Sequence, residues 1–189
     1  MASVLVKLRT AIFGPRQHRK IAIMGLDGAG GIDLLEHLCG TTEKKYFERC
    51  SLAHTGTKSS LKCDFEFVVL DVGGSGGPPR FLRWTAAQFT DADGIIWVVD
   101  SADSDRFVES QVEMGYTRMG REIRDGGPDR AAVSPDVPFL VLSIAEATRQ
   151  AELVITDAGD NMDWTFRAVS ITTSEGIQEA LGWLYKKVK

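Results

Sequence analysis

The chain has 189 residues, of which 43% are hydrophobic, and a formal net charge of −4; this fits one compact domain with a buried core rather than two. The acidic balance gives no whole-chain footing for nucleic acid, and no apolar run is long enough to span a bilayer. Three cysteines, Cys39, Cys50 and Cys63, are odd in number and lack CxxC or zinc-ligand spacing, which argues against a disulfide framework or metal site and for reduced, mostly buried thiols.

In chain order, the first feature is a basic segment. Residues 1–24 contain no Asp or Glu but carry Lys7, Arg9, Arg16, Arg19 and Lys20. Val4, Leu5, Leu8, Ala11 and Ile12 recur at helical spacing, which predicts a short amphipathic helix over residues 3–12, stopped by Gly14-Pro15. Three uses of that helix stay open: packing against its own domain or a partner, weak contact with an anionic membrane surface, or mitochondrial targeting. Residue 2 is Ala, whereas N-myristoylation requires Gly there. Residues 1–15 therefore read as helix and hinge, and residues 16–189 as the globular domain.

From there, short β-rich runs alternate with helical patterns, which predicts a mostly parallel sheet covered by helices on both faces. Strands are expected at 20–24, 65–70 (FEFVVL), 94–99 (GIIWVV), 139–142 and 166–170. Helices are expected at 32–38 and 174–188, the latter with Ile177, Leu181, Leu184 and Val188 on one face and lysines at its end. Residues 126–138, rich in Gly, Pro and Asp, read as an exposed loop, and no internal repeat is present. His18, His37 and His54 form no triad or metal set, and Arg118, Arg121 and Arg124 read as one solvated helix face, with a docking patch as the alternative.

The segments KIAIMGLDGAG, VVLDVGGS and GIIWVVDSADSDRF occur in that order, and DWTFRAVSITTSEGIQEALGWL follows near the end. Together with the basic amino-terminal segment, they resemble the Arf and Arf-like small GTPases over essentially the whole chain. The resemblance implies an α/β three-layer sandwich of the P-loop small-GTPase kind. Its sheet would be six-stranded and mostly parallel, with one antiparallel strand and about five flanking helices.

Such a fold binds a nucleotide through four stations, and each can be checked against these residues. The glycine turn survives: Gly25, Asp27, Gly28, Gly30 and Gly31 can form a phosphate loop of backbone N–H groups at a helix start. The lysine and magnesium-binding hydroxyl of GxxxxGK[ST] are replaced by Gly31 and Ile32, and no Lys or Arg occurs between Lys20 and Lys44. Asp33 adds a negative charge beside them. In the switch, Asp71, Gly73 and Gly74 persist, but the water-orienting Gln of the family is Ser75, followed by Gly76-Gly77-Pro78-Pro79. Thr55 and Thr57 read as surface-loop threonines. The base-reading Asn/Lys/x/Asp signature is replaced by Ile144-Ala145-Glu146-Ala147, and Asn161 is the chain's single Asn. The final base loop carries Ser170-Ile171-Thr172.

Hydrogen bonds to charged groups contribute on the order of 1.5–3 kcal/mol each. Losing the lysine, the hydroxyl and the base aspartate removes roughly 5–9 kcal/mol, which takes a nanomolar site to micromolar or weaker. The sequence thus points to a degenerate family member with no catalytic residues, no metal site and no expected cofactor. Its expected role is as a scaffold or accessory subunit of a larger protein complex. The alternative is a divergent GTP-binding protein in membrane trafficking with weak residual GTP/GDP and Mg²⁺ affinity. Phe81, Trp84, Phe89 and Trp164 are candidates for core or interface. The expected location is intracellular, cytoplasmic or membrane-peripheral, with mitochondrial as the alternative.

Overall fold

The computed structural model describes residues 14–47, 51–60, 62–71, 89, 91–119, 134, 136–144 and 163–188. The expected helix over residues 3–12 lies outside them. Seven strands form one sheet: β1 (Gln17–Gly25), β2 (Glu43–Phe47), β3 (Ser51–Ser59), β4 (Cys63–Asp71), β5 (Gly94–Asp100), β6 (Phe139–Ile144) and β7 (Trp164–Val169). Three α-helices are described: α1 (Gly31–Cys39), α2 (Phe107–Met119) and α3 (Ile177–Lys187). The strand order is β2-β3-β4-β1-β5-β6-β7. β1 lies parallel between β4 and β5, and β6 and β7 continue the parallel run. β3 is antiparallel to both β2 and β4, so it alone runs against the rest.

Period-two alternation sorts each central strand between two cores. Ile21 and Ile23 of β1, Phe65, Phe67 and Val69 of β4, Ile96 and Val98 of β5, and Leu140 and Leu142 of β6 face one side. There they meet Leu34, Leu35 and Leu38 of α1 and Ile177, Leu181 and Leu184 of α3. The intervening residues, Ala22, Met24, Val68, Leu70, Ile95, Trp97, Val99, Phe139 and Val141, face the other side with Met114 of α2 and Phe89. Both faces of the sheet are thus buried, which is why these strands read as continuous apolar runs.

The sheet has one strand more than the expected six: Glu43–Phe47 and Ser51–Ser59 pair as antiparallel strands β2 and β3, where the sequence reads Thr55 and Thr57 as surface-loop residues. The stretch HTGTKSS is strand, and Thr55 is buried at 7% exposure and paired with Val68. Thr57 is exposed, but it too sits in β3, opposite Glu66. Small polar residues hid this strand: Ala53 and Gly56 permit close packing where a larger side chain would not. A Cβ on Gly56 would lie 2.7 Å from Cys39 Sγ, so α1 can approach β3 only because that position has none.

A second departure concerns α2. Its inward residues are Ser110, Glu113, Met114, Thr117 and Arg118, all buried, whereas Val108 and Val112 are exposed at 70% and 46%. Trp97 Nε1 donates to Ser110 Oγ at 3.0 Å, and the Arg118 guanidinium lies 5.5 Å from the Phe139 ring and 5.8 Å from that of Trp164. Arg118 is therefore not on a solvated face; aromatic faces accept its cation as they would a ligand's, and burial pushes its pKa down. Arg121 and Arg124 lie outside the described residues. Cys39 is half-buried and Cys63 buried, both as free thiols whose pKa burial raises; Cys50 lies outside.

Two glycines separate steric need from mere tolerance. A Cβ on Gly25 would sit 2.6 Å from the Val98 carbonyl oxygen across the β1–β5 pairing, whereas one on Gly182 in α3 would meet nothing within 4 Å. Gly25→Ala is expected to destabilise by about 1–3 kcal/mol, and Gly182→Ala to stabilise by about 0.5–1 kcal/mol. Urea denaturation of both variants checks the pair.

Candidate functional site

β1 ends at Gly25 and α1 begins at Gly31, so the intervening loop crosses the carboxyl ends of the strands where β1 meets β4 and β5. A crevice at that edge is where open α/β sheets place their ligands. The turn closes with Ala29 N–H donating to the Leu26 carbonyl at 3.1 Å. Gly28 (φ 75°) and Gly30 (φ 87°) take left-handed conformations that other residues adopt only at a cost. Gly30 caps α1, and no side chain caps the helix there. Gly25, Asp27, Gly28, Gly30 and Gly31 thus lie in or beside one glycine-shaped turn between β1 and α1.

The chemistry at its lip differs from a triphosphate cradle. A Cβ on Gly31 would make ordinary contacts with Ile23 Cγ2 at 3.6 Å and Val69 Cγ1 at 3.7 Å. Ile32 is partly buried and packs against the core. Asp33 is exposed in the first turn of α1, and its Oδ2 lies 3.9 Å from where a Gly30 Cβ would be. A carboxylate there interacts favourably with the positive end of the helix dipole, the place an anionic ligand would also seek. Ile144 stands on the other side of the loop: its Cδ1 lies 3.0 Å from the Gly30 Cβ position. The Ile144 carbonyl accepts from Ser101 N–H at 3.1 Å and Ser101 Oγ at 2.6 Å, which fastens the end of β6 to the turn after β5.

On the flank facing α2, Arg106 reaches the loop. Its Nη2 lies 2.7 Å from Asp27 Oδ1, its Nη1 donates to the Asp27 carbonyl at 3.1 Å, and its Nε donates to Glu109 Oε2 at 2.8 Å. These bonds from Glu109 and Asp27 raise the guanidinium pKa. A cavity of about 20 Å³ lies beside this contact, lined by Asp27, Val98, Asp100, Arg106, Phe107 and Ser110 among others. It is large enough to admit a water.

Asp71 is the last residue of β4, paired with Leu52. Gly73, Gly74, Ser75 and the Gly-Pro run lie outside the described residues, as do Ala145, Glu146, Ala147 and Asn161. The final base loop is described: Ser170 N–H donates to the Glu175 carbonyl at 3.1 Å, and Ser170 Oγ accepts from Thr173 N–H at 3.2 Å. Gly176 and Ser174, both at positive φ, hold that turn, so α3 starts at Ile177 rather than at Ser174. Among the candidate interface aromatics, Phe89 is buried and Trp164 packs partly buried against the α2-side core, while Phe81 and Trp84 lie outside the described residues. Sequence reading gave Arg106 no role. The available signal was a lone arginine in the acidic turn DSADSDRF, six residues past the end of β5.

The fold and its loop define a protein of the P-loop GTPase class. A model of the ADP-ribosylation factor family matches residues 5–188, and the chain belongs to that family. It is 26% identical over 189 residues to ADP-ribosylation factor-like protein 1 of Saccharomyces cerevisiae, covering 100% of this chain and 98% of that protein. The crystal structure of the G domain of the T. maritima FeoB iron transporter superposes with a TM-score of 0.61 at 15% identity, covering 92% of this chain and 100% of that one. At that identity the second likeness concerns the fold alone.

The contact between Gly30 and Ile144 yields a test of how the loop is packed. Gly30→Ala is expected to cost about 1–2 kcal/mol for the left-handed backbone, plus a clash with Ile144. Ile144→Val alone should cost about 0.5–1.5 kcal/mol. The double variant should be less destabilised than the sum, because the shorter side chain relieves the clash. A denaturation-based double-mutant cycle measures the difference.

Proposed function

We propose that this Arf-family chain is a pseudo-GTPase. It works through protein contacts as a scaffold or accessory subunit, without hydrolysing GTP. The observation that carries the reading is the lip of the phosphate loop, where Gly31, Ile32, Asp33 and Ile144 stand where a nucleotide would need a lysine, a hydroxyl and a polar base reader. These residues do not fit GTP and Mg²⁺. Two are apolar, one has no side chain, and Asp33 adds like charge beside the place of the phosphates. Neutralising a triphosphate takes charge-assisted donors, and the guanidinium that reaches the loop is engaged by Asp27 and Glu109.

The retained positive-φ glycines favour the second reading, weak residual nucleotide binding in membrane trafficking, since their backbone amides remain in loop geometry. Nucleotide release and thermal stability separate the two. For a site whose Kd is millimolar, nucleotide at about 1 mM adds less than about 0.5 kcal/mol, a Tm shift under about 2 °C. We expect no nucleotide in an acid extract of the purified protein and no larger shift with GTP and Mg²⁺. Stoichiometric GDP or GTP in the extract sinks the pseudo-GTPase reading. A Gly31→Lys/Ile32→Ser double variant is expected to fold, since a Cβ at residue 31 meets only ordinary contacts, and still not to bind nucleotide tightly.

The partner surface we propose includes the outer face of α2. Among the described residues, Val108 and Val112 are the exposed large apolar side chains, one helical turn apart. We place the protein inside the cell, cytoplasmic or membrane-peripheral. Val108→Asp and Val112→Asp are expected to leave stability within about 0.5 kcal/mol of wild type and to abolish co-purification of the partner. Unchanged co-purification moves the interface elsewhere.

A further inference from the structure

A loop with glycine at four of seven positions, Gly25, Gly28, Gly30 and Gly31, carries a large entropic penalty for holding one shape. In a nucleotide-binding relative of such a fold, phosphate would supply the compensating bonds. Arg106, 79 residues away along the chain, supplies bonds of the opposite sense from within: it donates to the Asp27 carbonyl and carboxylate, where a phosphate would accept from loop N–H groups.

Its three contacts do different things. The Nη1 bond to the Asp27 carbonyl fixes loop backbone, and the Nη2 bond to Asp27 Oδ1 fixes the side chain of the same residue. The Nε bond to Glu109, one turn on in α2, fixes the plane of the guanidinium itself. Only a planar fork can meet three acceptors so placed; an ammonium on a flexible stem cannot. Arg106 and Asp27 side chains are exposed at 32% and 21%, so the pair is only partly screened by solvent. The anchor is also stiff, since Phe107 packs against the core and Ser110 is tied to Trp97.

We propose that Arg106 is the positioning residue of the phosphate loop: an internal cation that sets the loop's shape from the α2 side with no bound anion. This rests on the pseudo-GTPase reading, and the two fail in different arms of one experiment.

Amide hydrogen exchange of the full-length protein reads the loop directly. Arg106→Met and Arg106→Lys are both expected to speed exchange across residues 26–31 by about tenfold or more, with β5 and β6 amides unchanged. Asp27→Asn should have a smaller effect, because the carbonyl contact survives. Millimolar GTP or GDP with Mg²⁺ should restore protection in none of them. Wild-type exchange in Arg106→Met overturns the proposal, and so does rescue by Arg106→Lys. If Arg106→Met does not fold, Asp27→Asn and Glu109→Gln give the same reading, and unaltered exchange in both overturns it. Added protection of the wild-type loop by nucleotide overturns instead the reading on which the proposal rests, and that arm involves no substitution.

Discussion

The arrangement at the carboxyl edge of the sheet depends on how closely β1 approaches β5. Gly25 pairs with Val98, and a Cβ there would sit 2.6 Å from the Val98 carbonyl oxygen. Because the strand can end flush against its neighbour, the chain turns at once into α1 and carries the loop over the edge. Asp93 supports the same pairing from the other end, where its carboxylate accepts from Lys20 N–H at 2.8 Å and its own N–H donates to the Lys20 carbonyl. A side chain at residue 25 would force β1 and β5 apart at this point. The path of the chain into the loop thus starts from a backbone contact between β1 and β5.

Once β1 and β5 are fixed, the loop is held from several directions by residues of unlike chemistry. Ile144 bounds it with an apolar end, Asp33 faces the helix dipole, and Arg106 grips Asp27. None of these contacts calls for a ligand. A loop built to receive charge and one built to be self-sufficient can share the same glycines; what separates them is whether the groups around the turn are satisfied by the protein.

Much of the fold was legible because four strands are apolar on both faces, and such runs bounded by Gly and Asp have few alternative readings. The turn from β1 into α1 was legible because glycine spacing reports backbone shape, and shape persists when side chains change. β3 was missed because its stretch HTGTKSS is rich in small and polar residues, and its place depends on neighbours that let Ala53 and Gly56 pack closely. Arg118 was misread because helical spacing shows that residues share a face without showing which way that face points. Arg106 was invisible as a site residue because its partner lies 79 positions away, and no local pattern encodes that distance.

The central place of β1 has a further consequence for how the chain comes to be assembled. As synthesis proceeds, β1 is the first of the described strands to be made, yet its two neighbours end at Asp71 and Asp100. An apolar strand therefore waits with both edges unpaired until β4 is complete and with one edge open until Asp100, the condition under which strands seek the wrong partner. The residues at its start answer that hazard. Arg16, Arg19 and Lys20 later pair with Asp64, Asp93 and Asp91, but before those aspartates exist they are a block of like charge beside an exposed strand. Like charge beside an apolar strand disfavours its self-association, and in the folded protein the same cations serve as ion pairs.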